Sequence, residues 1–459
     1  MPNKLKFKQI PGSICAPRGF KAAAVFCGIK RRKLDLALIA SDMPAAVGGL
    51  FTTNQVCAAP VKLSAQRAAK RFAQAIVVNS GNAIACTGRQ GIRDAKRMAE
   101  IAGAALKLKA SDVLVCSTGR IGVPMPMKNV ERGIRACAPL LASSVTGAQR
   151  AAEAILTSDT RRKEIAVEFK IGKSKVRIGG ICKGAGMIQP GMAVATGLWP
   201  VSTRRGTAHR AVATGHATML AFITTDVAIE SDLLKRALRI AVTQSFNRIT
   251  VDGDMSTNDS VIVLANGLAR NHKLVTGHSP VRRSPACEAR GEGGSLVTFQ
   301  SALNFVCLEL AKMIVRDGEG VSRFVTLHVH GARSAGEAES AARAIANSPL
   351  VKTSWCGGDP NWGRILCALG YSEAKVNESR VDVGYAKPGS RKIVFAFRRG
   401  RPTNIALKAL SEISTAPEFD LHVYLHLGRA DFTMYASDLT ENYVAFNRRY
   451  ESNPASRGG

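Results

Sequence analysis

Short apolar runs rich in β-branched side chains recur along the 459-residue chain, at 36–39, 75–78, 113–116, 219–224, 261–264 and 324–329. Runs of that length predict buried strands rather than helices. Between them, over 91–107, 127–141, 232–249 and 302–315, apolar positions return with the spacing of one helix face. Strands and helices interleaved in this way, without a fixed repeat, predict a layered α/β or α+β architecture. Two stretches break the pattern. Residues 191–214 carry Arg, Thr, Gly and a Trp-Pro pair, and the string AVATG at 193–197 returns at 211–215. Residues 278–294 are rich in Arg, Pro, Ser and Gly and read as a surface loop.

Composition narrows the class. No apolar run approaches the roughly 18–20 residues that span a bilayer, so no membrane partner is expected. The first 34 residues hold no acidic residue, but they lack the Ser-rich amphipathic character of a transit peptide. The expected location is the cytoplasm. The eleven cysteines show no C-x-x-C spacing and read as reduced, mostly buried thiols. Eight histidines form no H-E-x-x-H pattern, and no metal is expected. The net charge of +30 favours nonspecific attraction to anions, yet the basic residues are spread along the chain and aromatics make up only 5%. A base-stacking surface interleaves aromatics with charge, so no specific nucleic-acid partner is expected.

Two local motifs fail on inspection. The triplet Gly172-Lys173-Ser174 lacks the glycine of a P-loop, since position 167 is Val. The run starting at Asp252 and Asp254 has Thr257 and Val263 where a calcium loop needs glycine and glutamate. A more informative place is Thr218, which follows Ala217 and directly precedes an apolar run. A threonine hydroxyl is a weak nucleophile, and one way to activate it is to make it a chain's first residue, with its own α-amine as base. That requires cleavage between Ala217 and Thr218, which the hydroxyl performs by an N→O acyl shift and ester hydrolysis. On this local pattern alone, a strand-starting threonine is the simpler reading.

Longer strings change the balance: KGAGMIQP at 183–190, GHATMLAFITTD at 215–226, APRGFK at 16–21, SDMPAA at 41–46, VNSGN at 78–82 and ACTG at 85–88. Others are STGRIGVP at 117–124, DGDMSTND at 252–259, AKMIVRDGEG at 311–320, ANSPLVKT at 346–353 and DPNWGR at 359–364. In this order they resemble the ornithine acetyltransferase (glutamate N-acetyltransferase) family along nearly the whole chain. The resemblance implies an α/β sandwich like that of N-terminal-nucleophile hydrolases. It also implies acetyl transfer from N-acetylornithine to glutamate through an acetyl-threonine, in arginine biosynthesis. Many members also take acetyl from acetyl-CoA, and no bound cofactor is implied. Cleavage gives an α chain of 1–217 and a β chain of 218–459, assembled as α2β2. Thr218 matches the nucleophile, and Thr118 and Gly119 match the oxyanion hole. Thr157, Lys183, Glu319, Asn447 and Ser452 match substrate-binding positions, with Thr160 as an alternative to Thr157.

This chain departs from the family at several points. Thr218 follows Lys183 by 35 positions where the family has eleven, and removing the 24 residues 191–214 restores that spacing. Thr196 is a rival nucleophile inside the insert, but it lacks the following apolar run. Ile84 stands where the family usually has Asn, and Gly358 where an acidic residue is common. A self-processing amidase or aminopeptidase on a similar scaffold is one alternative. An inactive basic nucleic-acid-binding relative, with maturation blocked by the insert, is another.

Overall fold

The computed structural model describes residues 7–194, 218–275 and 292–452. Ala217, Thr196 and nearly all of the insert lie outside the described residues. The chain divides into two compact units. Unit 1 comprises Met1–Asn247 and Met255–Ile314, and unit 2 comprises Arg248–Asp254 and Val315–Ser452.

Unit 1 is built on β1 (Lys8–Gln9), β2 (Phe20–Val25), β3 (Leu36–Thr52), β4 (Phe72–Asn82), β5 (Val113–Arg120), β6 (Lys163–Ile171), β7 (Ser174–Lys183), β8 (Met192–Ala193), β9 (Leu220–Thr225) and β11 (Ser260–Ala265). Their order is β1-β6-β7-β9-β11-β3-β4-β5, with β2 and β8 also paired to β3. The long strand β3 organises the rest. Its first part, from Leu36 to Ala40, pairs with β2 and β4, whereas Ala46 to Phe51 pair with β11. Between these parts the register with β4 slips, and Asp42, Met43 and Pro44 are exposed. A strand that changes partners at such a corner folds one sheet onto itself. One core cluster accordingly joins Ile39, Ile76, Val78 and Leu114 from one half to Leu220, Phe222, Ile262 and Leu264 from the other.

Helices cover the outer faces. Alternate residues of the first half, Leu36, Leu38, Val77 and Val115, pack against Met98 of α2 (Gly88–Leu106) and Ile134 of α3 (Met127–Cys137). Both strand faces are therefore buried, which is why the runs are apolar throughout instead of alternating. The smaller helices α1 (Ala59–Ala68) and α4 (Val145–Ala154) add Val61, Ala65, Ala148 and Ala151 to the inner core. On the other half, α5 (Ser231–Thr243) packs at Gly48, where an added Cβ would lie 3.4 Å from Leu238. Helix α6 (Glu292–Arg316) packs at Gly180, where an added Cβ would meet Leu310 at 2.8 Å. The result is the layered α/β sandwich expected, helix–sheet–sheet–helix.

Several boundaries differ from expectation. The helix expected over 127–141 stops at Cys137, because Pro139 lacks the N–H and stands in a following 3-10 turn. The helix expected over 232–249 stops at Thr243, and Ile249–Thr250 instead form strand β10 of unit 2. Against the expectation of no long apolar run, Gly294–Arg316 is long and apolar enough by composition to cross a membrane. Its Phe299, Leu303, Val306, Leu310 and Ile314 are fully buried at helical spacing, the pattern of a core helix. The ten described cysteines are unpaired and seven are buried.

Unit 2 contains β10, β12 (Phe324–Ala332), β13 (Asp382–Ala386), β14 (Val394–Arg398), β15 (Arg401–Pro402), β16 (Glu418–Tyr424) and β17 (Ala430–Ser437), in the order β10-β17-β12-β16-β13-β14-β15. Val325, Leu327 and Val329 of β12 share a core with Ile345 of α7 (Ala335–Asn347), Trp355 of α8 (Pro349–Gly357), Leu369 of α9 (Trp362–Gly370) and Leu410 of α10 (Leu407–Ser414). Gly358 caps α8 at φ +67, a left-handed conformation that suits glycine better than the acidic residue common in the family. The last described helix is α11 (Glu441–Ser452).

Candidate active site

The fold of β3 brings together strand ends that are far apart in the sheet order. Thr218 is almost fully buried, two residues before β9, and Thr118 is fully buried on β5. Their Oγ1 atoms are hydrogen-bonded to each other, across 100 positions of sequence. Lys183, the last residue of β7, lies opposite Leu220 in the ladder with β9. Its Nζ donates to Thr157 Oγ1 at 2.7 Å and to Thr118 Oγ1 at 3.3 Å. Thr157 thus meets the lysine, and Thr160 is exposed.

Gly119 is fixed by its surroundings. At φ +128 it faces Gly81 across β4 and β5, and an added Cβ would lie 2.4 Å from the Gly81 carbonyl carbon. The chain can turn here only without a side chain. The neighbouring turn is tied by side-chain amides. Asn82 Oδ1 accepts from the Ile84 N–H at 2.9 Å, and Asn258 Nδ2 donates to the Ala83 and Ser117 carbonyls, both at 2.8 Å. Ile84 has φ +48, a strained conformation for a β-branched residue and an easier one for the Asn usual in the family. The Ile84 side chain is buried against the α2 cluster. That burial, worth about 2 kcal/mol, offsets strain of similar size, and the turn stays satisfied.

Sequence reasoning missed the carboxylates beneath these residues. Asp159, fully buried, accepts from Lys163 Nζ at 2.6 Å, the Gly184 N–H at 2.7 Å and the Thr157 N–H at 3.0 Å, and lies 3.9 Å from Lys183 Nζ. Burial alone would raise its pKa, but Lys163, Lys183 and the Gly184 N–H hold it well below the ordinary range. Asp259 fixes the other side. Its Oδ1 accepts from the N–H of Met219, the residue after Thr218, at 2.9 Å, and complete burial raises its pKa to about 7. Asp159 lies two residues after Thr157, and Asp259 ends the string DGDMSTND at 252–259. Nothing local shows which backbone a buried carboxylate will meet.

A third lysine and a third aspartate lie buried in the same unit. Lys30, with its pKa lowered to about 8 by burial, donates to the Leu34 and Leu156 carbonyls, and Asp35 accepts four backbone N–H groups from Cys27 to Lys30. Three buried lysines, Lys30, Lys163 and Lys183, thus stand with three buried aspartates, Asp35, Asp159 and Asp259. The Lys183 ammonium, donating at Thr118, supplies a positive point charge for a carboxylate or a developing oxyanion.

Of the remaining expected residues, Glu319 and Asn447 lie in unit 2. Asn447 Nδ2 donates to Glu319 Oε2 at 3.3 Å, and Thr440 on the same C-terminal segment donates to the Gly320 carbonyl at 2.6 Å. Ser452 ends α11, and its side chain lies outside the described residues.

Paired hydroxyls backed by a buried lysine, on an α/β sandwich, are equipment for acyl transfer. The chain belongs to the ArgJ family, whose profile matches residues 21–452. Among curated relatives, the arginine biosynthesis bifunctional protein ArgJ of Symbiobacterium thermophilum is 42% identical over 96% of this chain and 99% of its own. That of Geobacter sulfurreducens is 42% identical over 95% and 99%. A solved structure of ornithine acetyltransferase complexed with ornithine, from Mycobacterium tuberculosis, is 38% identical over 41% of this chain and 100% of that chain, with a TM-score of 0.39. The protein is accordingly an acetyltransferase of arginine biosynthesis.

Proposed function

We propose that Thr218 carries the acetyl group from N-acetylornithine to glutamate, after the chain has cut itself between Ala217 and Thr218. The observation that carries this reading is the hydrogen bond between the buried Thr118 and Thr218 hydroxyls, with Lys183 donating to the same Thr118 oxygen. In self-cleavage, Thr218 Oγ1 attacks the Ala217 carbonyl, and the acyl group passes from nitrogen to oxygen. Water then hydrolyses the ester, leaving a free α-amine on Thr218. In turnover that amine takes the hydroxyl proton as Oγ1 adds to the acetyl carbon. Thr118 and Gly119 stabilise the oxyanion, ornithine leaves with its amine restored, and the glutamate amine then takes the acetyl group. One preorganised donor of this kind is worth about 3 kcal/mol. Thr157, Lys183, Glu319, Asn447 and Ser452 hold the substrates' charged groups, with Lys183 serving a carboxylate.

The two products of cleavage would remain in one sheet, since β9 pairs with β7 before the cut and with β11 after it in sequence. Assembly as α2β2 and a cytoplasmic location belong to the same reading. The relatives' description as bifunctional supports acetyl-CoA as a second acetyl donor. The test is intact mass and denaturing electrophoresis of the wild type beside Thr218→Ala. Two fragments, with Thr218 as a new N-terminus in the wild type only, are expected. A single uncut chain that still transfers acetyl would overturn the assignment of the nucleophile.

A further inference from the structure

We propose that unit 2 carries a site for a divalent transition-metal cation, formed by His328, His422 and Asp420. The three lie on the face of the sheet opposite α7–α9, because Val325, Leu327 and Val329, and Phe419, Leu421 and Val423, point into the helix-side core. His328 and His422 are direct partners in the parallel register of β12 and β16, and Asp420 is two residues before His422. Their potential ligand atoms all lie within 4.8 Å of one another. Around a tetrahedral zinc-like ion with bonds of about 2.1 Å, ligand atoms stand roughly 3.4 Å apart, so each needs to move by about 1 Å. The His328 and His422 rings are stacked, with centroids 4.7 Å apart and planes 14° from parallel. Closure therefore requires the rings to turn about their Cβ–Cγ bonds, a soft torsion.

The surrounding groups point these atoms at a common ligand. Thr433 Oγ1 holds His328 Nδ1 at 3.0 Å, which leaves Nε2 as the free nitrogen. His330 Nε2 holds His422 Nδ1 at 3.1 Å, and the Gly389 N–H donates to Asp420 Oδ2 at 2.7 Å. Metal ligands are oriented in this manner by outer partners. His422 Nε2 is buried and meets no hydrogen-bond partner. A buried N–H without an acceptor is costly, which favours the tautomer with the proton on Nδ1, donated to His330, and a bare lone pair on Nε2. A lone pair walled off from donors and flanked by a second imidazole and a buried carboxylate is a ligand atom.

The test uses the full-length, tag-free protein stripped with chelator, titrated with Zn2+ by calorimetry and with Co2+ by visible absorption. One cation per chain, with the intense bands of a tetrahedral Co2+ site, is the expected result. His422→Asn and Asp420→Asn are expected to weaken binding by more than about a hundredfold, and Thr433→Val by about tenfold, the range for a lost outer partner. His328→Gln, on the adjacent strand, provides a second ligand variant in case His422→Asn does not fold. Equal Zn2+ affinity in the wild type and folded ligand variants would overturn the proposal, as would no binding by the wild type at millimolar Zn2+.

Discussion

Replacing Asp159 with Asn tests the electrostatic foundation of the site. The carboxylate is fully buried between two fully buried lysines, 2.6 Å from Lys163 Nζ and 3.9 Å from Lys183 Nζ. With an effective dielectric constant of about 20, those separations correspond to roughly 6 and 4 kcal/mol of attraction. The carboxylate's own desolvation offsets several kcal/mol of this. Removing it takes the nearby carboxylate from two buried ammonium groups, so the expected loss of stability is about 3–5 kcal/mol. Asn keeps an acceptor for the Gly184 N–H but sets its amide NH2 against the Thr157 N–H, which adds to the loss of charge. The acid dependence gives a second signature. Because the folded pKa of Asp159 lies below its ordinary 3.8, its stabilisation is complete above that value and is lost as pH falls through the folded one. Urea denaturation of wild type, Asp159→Asn and Asp159→Asn with Lys163→Met, between pH 2 and 8, measures both effects. The double variant is expected to recover about half the loss, since only Lys183 then lacks the nearby carboxylate. A loss below about 1 kcal/mol at pH 7, or no recovery in the double variant, would refute the reasoning.

Three further substitutions probe the same unit. Gly119→Ala must displace the Gly81 backbone and is expected to cost more than about 3 kcal/mol, with loss of acetyl transfer. Gly88→Ala, also at positive φ but with nothing within 4 Å of the added Cβ, should cost only about 1 kcal/mol; equal thermal shifts for the two would contradict this. Asp259 has a folded pKa raised from 3.8 to about 7, so its folded state holds a proton that the unfolded chain releases. Its contribution to stability therefore declines as pH rises from about 4 to 7, by roughly 4 kcal/mol in all. Asp259→Asn should abolish that decline, gaining on the wild type at pH 8 relative to pH 4. Parallel stability curves for the two proteins would exclude it.

Much of this architecture is visible in the chain because burial has a local signature. The runs at 75–78 and 113–116 lie in β4 and β5, and the apolar stripe of 302–315 lies in α6. Thr218, Thr118 and Lys183 stand out only through the strings that resemble the family, since locally Thr218 reads as an ordinary strand start. Helix ends were less so, because local periodicity at 244–249 cannot show that Ile249 and Thr250 pair with Tyr435 and Ala436.

What the sequence by itself determined is the family, the succession of elements and the side chains able to do chemistry. Which of them meet was decided only by tertiary structure. Thr118 reaches Thr218 because β3 changes partners at its exposed corner and folds the sheet on itself. Asp159 gathers two lysines because β6 and β7 end beside it, and His330 meets His422 across 92 positions through one strand pairing. Hydrophobic spacing records whether a residue is buried. It does not record strand order, register or the backbone N–H that a buried carboxylate will find, since those depend on segments distant in the chain.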